Sequence, residues 1–179
     1  MLHHEPTRFF YLMKHIPLTK GKFAIVDDYD YDNLSKFNWF LQSTKCKNSY
    51  KYYAVRHVKV DGKTKAILMH RYILNPSNIE LIDHIDGNGL NNQRNNLRAC
   101  NPSQNCINRK PIGESKFLGV HKVTHKKGQN EYVYWRAQLR FGKNRINLGQ
   151  SKDEVLAAKL YDEAAKKYHG EFANLNFKE

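Results

Sequence analysis

Cysteine is scarce: Cys46, Cys100 and Cys106 are the three among 179 residues. An odd count in a chain without a secretion signal argues against a disulfide framework. The paired C-x-x-C spacing of a structural zinc site is missing too, so free thiols and no bound zinc are expected. Long apolar runs are also lacking. Hydrophobic residues make up 40% of the chain, and no segment approaches the about 20 apolar residues of a membrane-spanning helix. The opening MLHHEPTRFFYLMKH has no apolar signal-peptide core and is charged throughout. A soluble, cytoplasmic protein with no membrane partner is expected. Acidic side chains are few, 17 against 30 Lys and Arg, for a formal net charge of +13. Aromatics are not lacking. The 11 Tyr, 9 Phe and 2 Trp demand burial, which excludes the compositional signature of disorder. The excess positive charge therefore sits on folded surfaces, whose natural partner is a polyanion, nucleic acid before all others.

Three stretches follow one another. In the first, KFAIVD (Lys22 to Asp27) has the pattern of a short buried strand, and DDYDYDNLSKF, acidic at its front, that of a short helix. YYAVRHVKV alternates as a strand up to Asp61-Gly62, a tight-hairpin signal, and TKAILMH is its partner. The second stretch is rich in Asn and His, with seven Asn from Asn88 to Asn105. Turn and cap roles are expected for Asn91, Asn92 and Asn95. Asn101-Pro102-Ser103-Gln104 has the N-cap, first-turn proline and reciprocal Gln of a helix start, and Asn105 and Asn108 are expected on one face of that helix. In the third stretch, NRKPIGESK is expected to be a linker. Strand-like segments span 117–123, 132–141 and 145–148, and Ser151-Lys152-Asp153-Glu154 has the form of a capping box opening a helix that Gly170 closes. Nine Lys or Arg and two Glu lie between Lys110 and Gly149, a net +7. A sheet face is thus the expected polyanion surface.

LIDHIDGNGLNNQRNNLRACNPSQNCIN sets Asp83 beside His84 and carries an amide, Asn105, on the expected helix. Phosphodiester hydrolysis needs a base for water and charge against the phosphate. A neutral His, with a pKa near ~6.5, is a suitable base. Asp carboxylate and Asn carbonyl are hard oxygen ligands suited to Mg²⁺ or Mn²⁺. Neighbours on a strand point to opposite faces, so the pair would need a twist or bulge to act on one phosphate. Loop-and-cap chemistry is the competing account of the same residues.

With MHRYIL ahead of it, the segment from DHIDGNGLNNQRNNLR to SQNCIN, residues 69 to 108, resembles the HNH nuclease motif, a ββα-metal fold of phage and mobile-intron endonucleases. The resemblance implies His84 as general base, Asp83 and Asn105 as ligands of one divalent cation, and Asn96 as the residue that orders the loop and the base. Asn stands where the family's third His often does. His70-Arg71 matches an HR ahead of the motif, leaving His70, Arg71 and Asn108 as possible accessory residues. IPLTKGKFAIVDDYDYDNL resembles the amino-terminal module of such phage-type proteins.

SKFLGVHKV, YWRAQLR, RINLG and AAKLYDEAAKKYHGEFANLNF, together nearly all of 115 to 177, resemble the APETALA-type, or ethylene-response-factor-type, DNA-binding domain. That family lays a three-stranded antiparallel sheet, backed by one helix, in the major groove of double-stranded DNA. The matching positions are His121, Val123, Gln138, Arg140, Arg145 and Asn147, with Arg136 a neighbour. Trp135 is either a DNA contact or core. Gln138 and Arg140 share a strand face, where Arg suits guanine and Gln adenine; a solvated basic face is the plainer account.

An α+β protein is thus expected. It has a small mixed N-terminal module (1–68), a ββα-metal nuclease core (69–110) and a C-terminal three-stranded antiparallel sheet packed on one helix (111–179), with a linker at about 108–116. The expected function is site-specific DNA cleavage of the homing or mobile-element kind. The alternative is a catalytically inactive, sequence-specific DNA-binding regulator or recombination accessory. No feature sets an oligomeric state.

Overall fold

The computed structural model describes residues 12–46, 49–75, 81–109, 111 and 113–178. The first residues of the expected N-terminal module, and Lys110 and Ile112 of the expected linker, lie outside them. Mixed α+β structure is observed, with four helices and several small antiparallel sheets among the described residues. Compact packing divides the chain into Met1–Cys100 and Asn101–Glu179.

In the first unit, β1 (Met13–Pro17) and β2 (Phe23–Asp27) form a hairpin in which Met13 pairs with Asp27 and Pro17 with Phe23. Helix α1 (Asp28–Leu34) follows directly, with Asp28 and Asp30 in its first turn, where the helix dipole favours them. β3 (Phe40–Lys45), β4 (Tyr50–Val60) and β5 (Lys63–Leu68) form an antiparallel sheet in that order. Asp61 and Gly62, both at positive φ (51° and 73°), make the tight turn from β4 to β5. Met69 and His70, expected to end the β5 strand, instead open helix α2 (Met69–Leu74). Pairing with β4 stops at Val55 with Leu68. Beyond that point Met69 and Ile73, four apart on one helix face, are both buried.

β6 (Leu81–His84) and β7 (Leu97–Cys100) pair antiparallel, Asp83 opposite Arg98 and His84 opposite Leu97. The loop between them docks on β2 through Ile25 N–H to the Leu90 carbonyl (2.8 Å) and Asn92 N–H to the Ile25 carbonyl (2.7 Å). Ile16, Leu18, Ala24, Val26, Leu34, Trp39, Ala54, Met69, Ile73 and Leu97 form the core beneath these elements. The Trp39 indole N–H is satisfied there by the Leu34 carbonyl at 2.9 Å, as a buried donor requires.

The second unit opens with α3 (Pro102–Asn105). Its Asn101 side chain accepts from Gln104 N–H, and Gln104 accepts from Asn101 N–H, the reciprocal cap expected from the sequence. The helix ends at Asn105 and is capped by Cys106, so Asn108, expected on the same helix face, lies beyond it. β8 (Val120–Lys127), β9 (Asn130–Phe141) and β10 (Asn144–Ser151) form an antiparallel sheet with β9 central. Helix α4 (Glu154–His169) packs Ala157, Ala158 and Ala165, all fully buried, with the buried Val120, Ala137 and Leu139 of the sheet. Small residues allow that close approach. The cap of α4 is Asp153, whose carboxylate accepts from Val155 and Leu156 N–H, and not the expected Ser151. Ser151 is still paired with Trp135 in β10 and so cannot serve as the helix boundary.

Gly119, at φ 68°, is demanded by packing. A Cβ there would run into the Tyr161 ring and come within 2.6 Å of the Gln138 carbonyl. Buried Asp162 ties down the C-terminal segment by accepting from Asn176 N–H (2.9 Å) and Phe177 N–H (2.9 Å).

Candidate active site and nucleic-acid surface

Asp83 and His84 end β6 side by side, both 6% exposed, and their side chains meet different partners. Asp83 Oδ2 accepts from Arg98 Nη2 at 2.8 Å and Nε at 3.2 Å across the two-stranded sheet. His84 lies in an aromatic corner. The His70 ring meets it edge to face at 5.0 Å between centroids, and Tyr53 stands 5.8 Å from His70 and 6.1 Å from His84. α2 supplies His70 and β4 supplies Tyr53, so the corner is assembled from three elements distant in the chain.

Asn92 orients the His84 ring. It is fully buried, and its Nδ2 donates to the Leu90 carbonyl at 3.1 Å, which turns its Oδ1 towards His84 Nε2 at 3.4 Å. An acceptor at Nε2 favours the tautomer with the proton on that nitrogen. Burial pushes the His84 pKa down. Asn92 and the Asp86 and Asp83 carboxylates oppose that shift, and Lys51 adds to it. Burial, with the neighbouring His84 and Arg71, pushes His70 down to about 3. Both imidazoles are therefore neutral at pH 7.

The loop beside His84 is held by Asn96 and Asp86. Asn96 donates to Asp86 Oδ1 (3.0 Å) and to the Asn91 carbonyl (2.8 Å), and accepts from Asp86 N–H (3.0 Å). Burial raises the Asp86 pKa, but hydrogen bonds from Asn88, Asn91 and Asn96 outweigh it and hold the carboxyl below its usual value. The Gln93 side-chain Nε2 and the Arg94 backbone N–H donate to the Asp27 carboxylate at 3.1 and 2.8 Å, and the Arg94 guanidinium grips Asp30 through two 2.8 Å bonds. Asn91, Asn92 and Asn95 share one expectation, that of turns and caps. The surplus of amides conceals that Asn92 reaches the histidine, because only the docking of the loop on β2 turns that one inward. Tyr53 and Asp86 carry no sequence signal of this role.

Asn105 closes α3 in the second unit, whereas Asp83 and His84 belong to the first. Arg71 follows His70 on α2. Among the described residues, no group of three or more His, Cys, Asp or Glu side chains could hold a metal ion.

On the three-stranded sheet, register puts His121, Arg136, Gln138, Arg140, Arg145 and Asn147 on one face. Arg136, Gln138 and Arg140 alternate along β9. His121 pairs with Arg136, Asn147 with Gln138, and Arg145 with Arg140. Ala137 and Leu139 point the other way into the core, where Trp135 also packs. Val123, opposite Tyr134, shares the His121 face.

No family model matches the chain, and no solved structure matches it. An uncharacterized HNH endonuclease of Acanthamoeba polyphaga mimivirus is 32% identical over 166 residues, covering 88% of this chain and 76% of the relative. A second uncharacterized HNH endonuclease of the same virus is 38% identical over 60 residues, 31% of this chain and 18% of that relative. The chain belongs to the HNH endonuclease family. Among the described residues, no helix is long and apolar enough to cross a membrane.

Proposed function

We propose that the protein is a site-specific endonuclease acting on double-stranded DNA, of the homing or mobile-element kind, with His84 as general base. The observation that carries this is the His84 ring, buried between His70 and Tyr53 and facing the Asn92 carbonyl with Nε2. With its proton on Nε2, the imidazole presents Nδ1 as the basic nitrogen that takes the proton from a water attacking phosphorus. Asn92 then steadies the imidazolium that forms. Asn96 keeps the loop carrying the base in place through Asp86. The His70 and Tyr53 rings keep bulk water off one side of the imidazole.

β6, β7 and α3 follow one another along the chain in ββα order, as the motif resemblance implies. Asp83, and by that resemblance Asn105, offer hard oxygen donors that suit one Mg²⁺ or Mn²⁺ and not zinc. Such an ion, held by those residues, would supply positive charge against the scissile phosphate and the leaving 3′ oxygen. The sheet of β8, β9 and β10 is assigned to DNA reading in the manner of the APETALA-type domain. His121, Arg136, Gln138, Arg140, Arg145 and Asn147 face the groove, and α4 serves as backing.

Purified protein is expected to cut duplex DNA with Mg²⁺ or Mn²⁺, to stop in EDTA, and to lose cutting but keep DNA binding as His84→Ala. Undiminished cutting by that variant would remove His84 from the role of base. One observation favours a second reading, a DNA-binding regulator without nuclease activity: Arg98 grips the Asp83 carboxylate as it would in a purely structural ion pair. Tight, salt-sensitive DNA binding with no cleavage in either metal would select that reading.

A further inference from the structure

The face of β4 that looks away from His84 carries a second site-like feature. Lys20, Lys22, Leu41, Ser43, Tyr50 and Tyr52 line a groove of about 230 Å³. Register explains the grouping. Ser43 pairs with Tyr52 and Lys45 with Tyr50, so the alternate residues of β3 and β4 share this face, while Lys51 and Tyr53 take the other. The Tyr50 and Tyr52 rings are 55% and 40% exposed, and they stack 6.4 Å apart at 21°. Large aromatic rings left in water side by side on a sheet face call for a ligand.

The lysines reach the groove from the β1–β2 turn. Lys20 sits at φ 60°, where a non-glycine residue is strained, ahead of Gly21 at φ 63°. The turn is held in place by Leu41 N–H donating to Thr19 Oγ1 (3.0 Å) and Leu18 N–H donating to the Lys22 carbonyl (2.8 Å). A strained backbone held by neighbouring structure is a pointer to function. Here it holds two ammonium groups beside two π-faces, and among the described residues no carboxylate lines the groove. An acidic peptide would satisfy the lysines and leave the rings unused. A sugar would use the rings but lacks the anions. A nucleic-acid strand alternates phosphates with flat bases, and a base can reach a tyrosine face only when it is unpaired.

We propose that this groove binds an unpaired DNA strand, with Tyr50 and Tyr52 stacking bases and Lys20 and Lys22 neutralising phosphates. The proposal rests on the nucleic-acid function assigned above and adds a third contact surface, built from residues other than those around His84 or on the β8–β10 sheet.

The test is fluorescence anisotropy of the full chain in EDTA, with labelled oligo-dT of about 12 nucleotides and a duplex of equal length. Tyr50→Ala with Tyr52→Ala is expected to weaken oligo-dT binding at least about 30-fold and duplex binding less than about 2-fold. Tyr50→Phe with Tyr52→Phe, which keeps both rings, is expected to bind as the wild type does. Lys22→Gln is expected to flatten the dependence of log K on log salt for oligo-dT by about 0.7, and it serves if the double alanine variant does not fold. Unchanged oligo-dT affinity in a folded Ala variant, an unchanged salt slope for Lys22→Gln, or equal losses on oligo-dT and duplex would each overturn the assignment. Cleavage by the wild-type protein is measured alongside. Tyrosine-dependent binding without cutting leaves the groove standing and removes the endonuclease; cutting with tyrosine-independent binding does the reverse.

Discussion

Asn92 and His84 stand eight residues apart and face each other in the interior, amide oxygen to Nε2 at 3.4 Å. The Leu90 carbonyl fixes which way the amide points, so a backbone group in the loop chooses the nitrogen of His84 that can accept a proton. Asn92→Ala removes that choice and leaves a buried gap. The cleavage rate is expected to fall on the order of 10- to 100-fold, as for other partners that orient a functional histidine, with DNA affinity unchanged. Single-turnover cleavage beside an anisotropy titration checks both halves.

The neutral His70 predicts a stability profile. Its pKa is about 3 in the fold against an ordinary 6.5. Between those values the unfolded chain binds the extra proton, so the contribution is full above pH 6.5 and declines as pH falls towards 3. The groups facing His70 are His84 from β6 and Tyr53 from β4, with Arg71 adjacent on α2. Urea unfolding at pH 7 and pH 5 is expected to show a loss of about 1–2 kcal/mol in the wild type and a smaller loss in His70→Leu. Equal losses in the two proteins would contradict the assignment.

Gly119 predicts a site with no tolerance for a side chain. Gly119→Ala combines positive φ with collision against Tyr161 and the Gln138 carbonyl. It is expected to cost about 2–4 kcal/mol, read as a lowered melting temperature of the second unit. Gly142, which also has positive φ but open space where a Cβ would stand, is the control: Gly142→Asn is expected to cost under about 1 kcal/mol, because Asn tolerates that conformation.

Arg140 and Arg145 are direct cross-strand partners. Like charges in that position destabilise a sheet by about 0.2–1 kcal/mol. Arg140→Ala is therefore expected to leave stability unchanged or slightly raised while weakening DNA binding by about 1–3 kcal/mol and relaxing the preference for one base pair of the site. A loss of binding that tracks a loss of folding would instead make Arg140 a structural residue.

Asp83 separates the two functional readings. Asp83→Asn keeps the shape but removes the charge opposite Arg98. In the nuclease it is expected to abolish Mg²⁺-dependent cutting while DNA binding persists, with a stability cost of about 1–3 kcal/mol from the weakened buried pair. A stability cost alone, in a protein that never cut, is the signature of the regulator.

Local patterns along the chain already determined much of this protein. Alternation marked β4 and β9, Asp61-Gly62 marked the turn between β4 and β5, and the Asn101 to Gln104 cap marked the start of α3, because each depends on residues within a few positions of one another. The Asp83-His84 pair and the alternation of Arg136, Gln138 and Arg140 were legible for the same reason. Tertiary structure decided what depends on distant pairing. The last pair of the β4–β5 ladder released Met69 and His70 into a helix. Continued pairing of Ser151 with Trp135 moved the α4 cap to Asp153. Packing against Ala157 and Ala158 drew Trp135 into the core. Above all, the docking of the β6–β7 loop on β2 selected Asn92 from a run of chemically equivalent amides and brought it to His84, alongside a histidine from α2 and a tyrosine from β4. A sequence specifies such a meeting only through the whole core, since no local spacing relates residues 53, 70, 84 and 92.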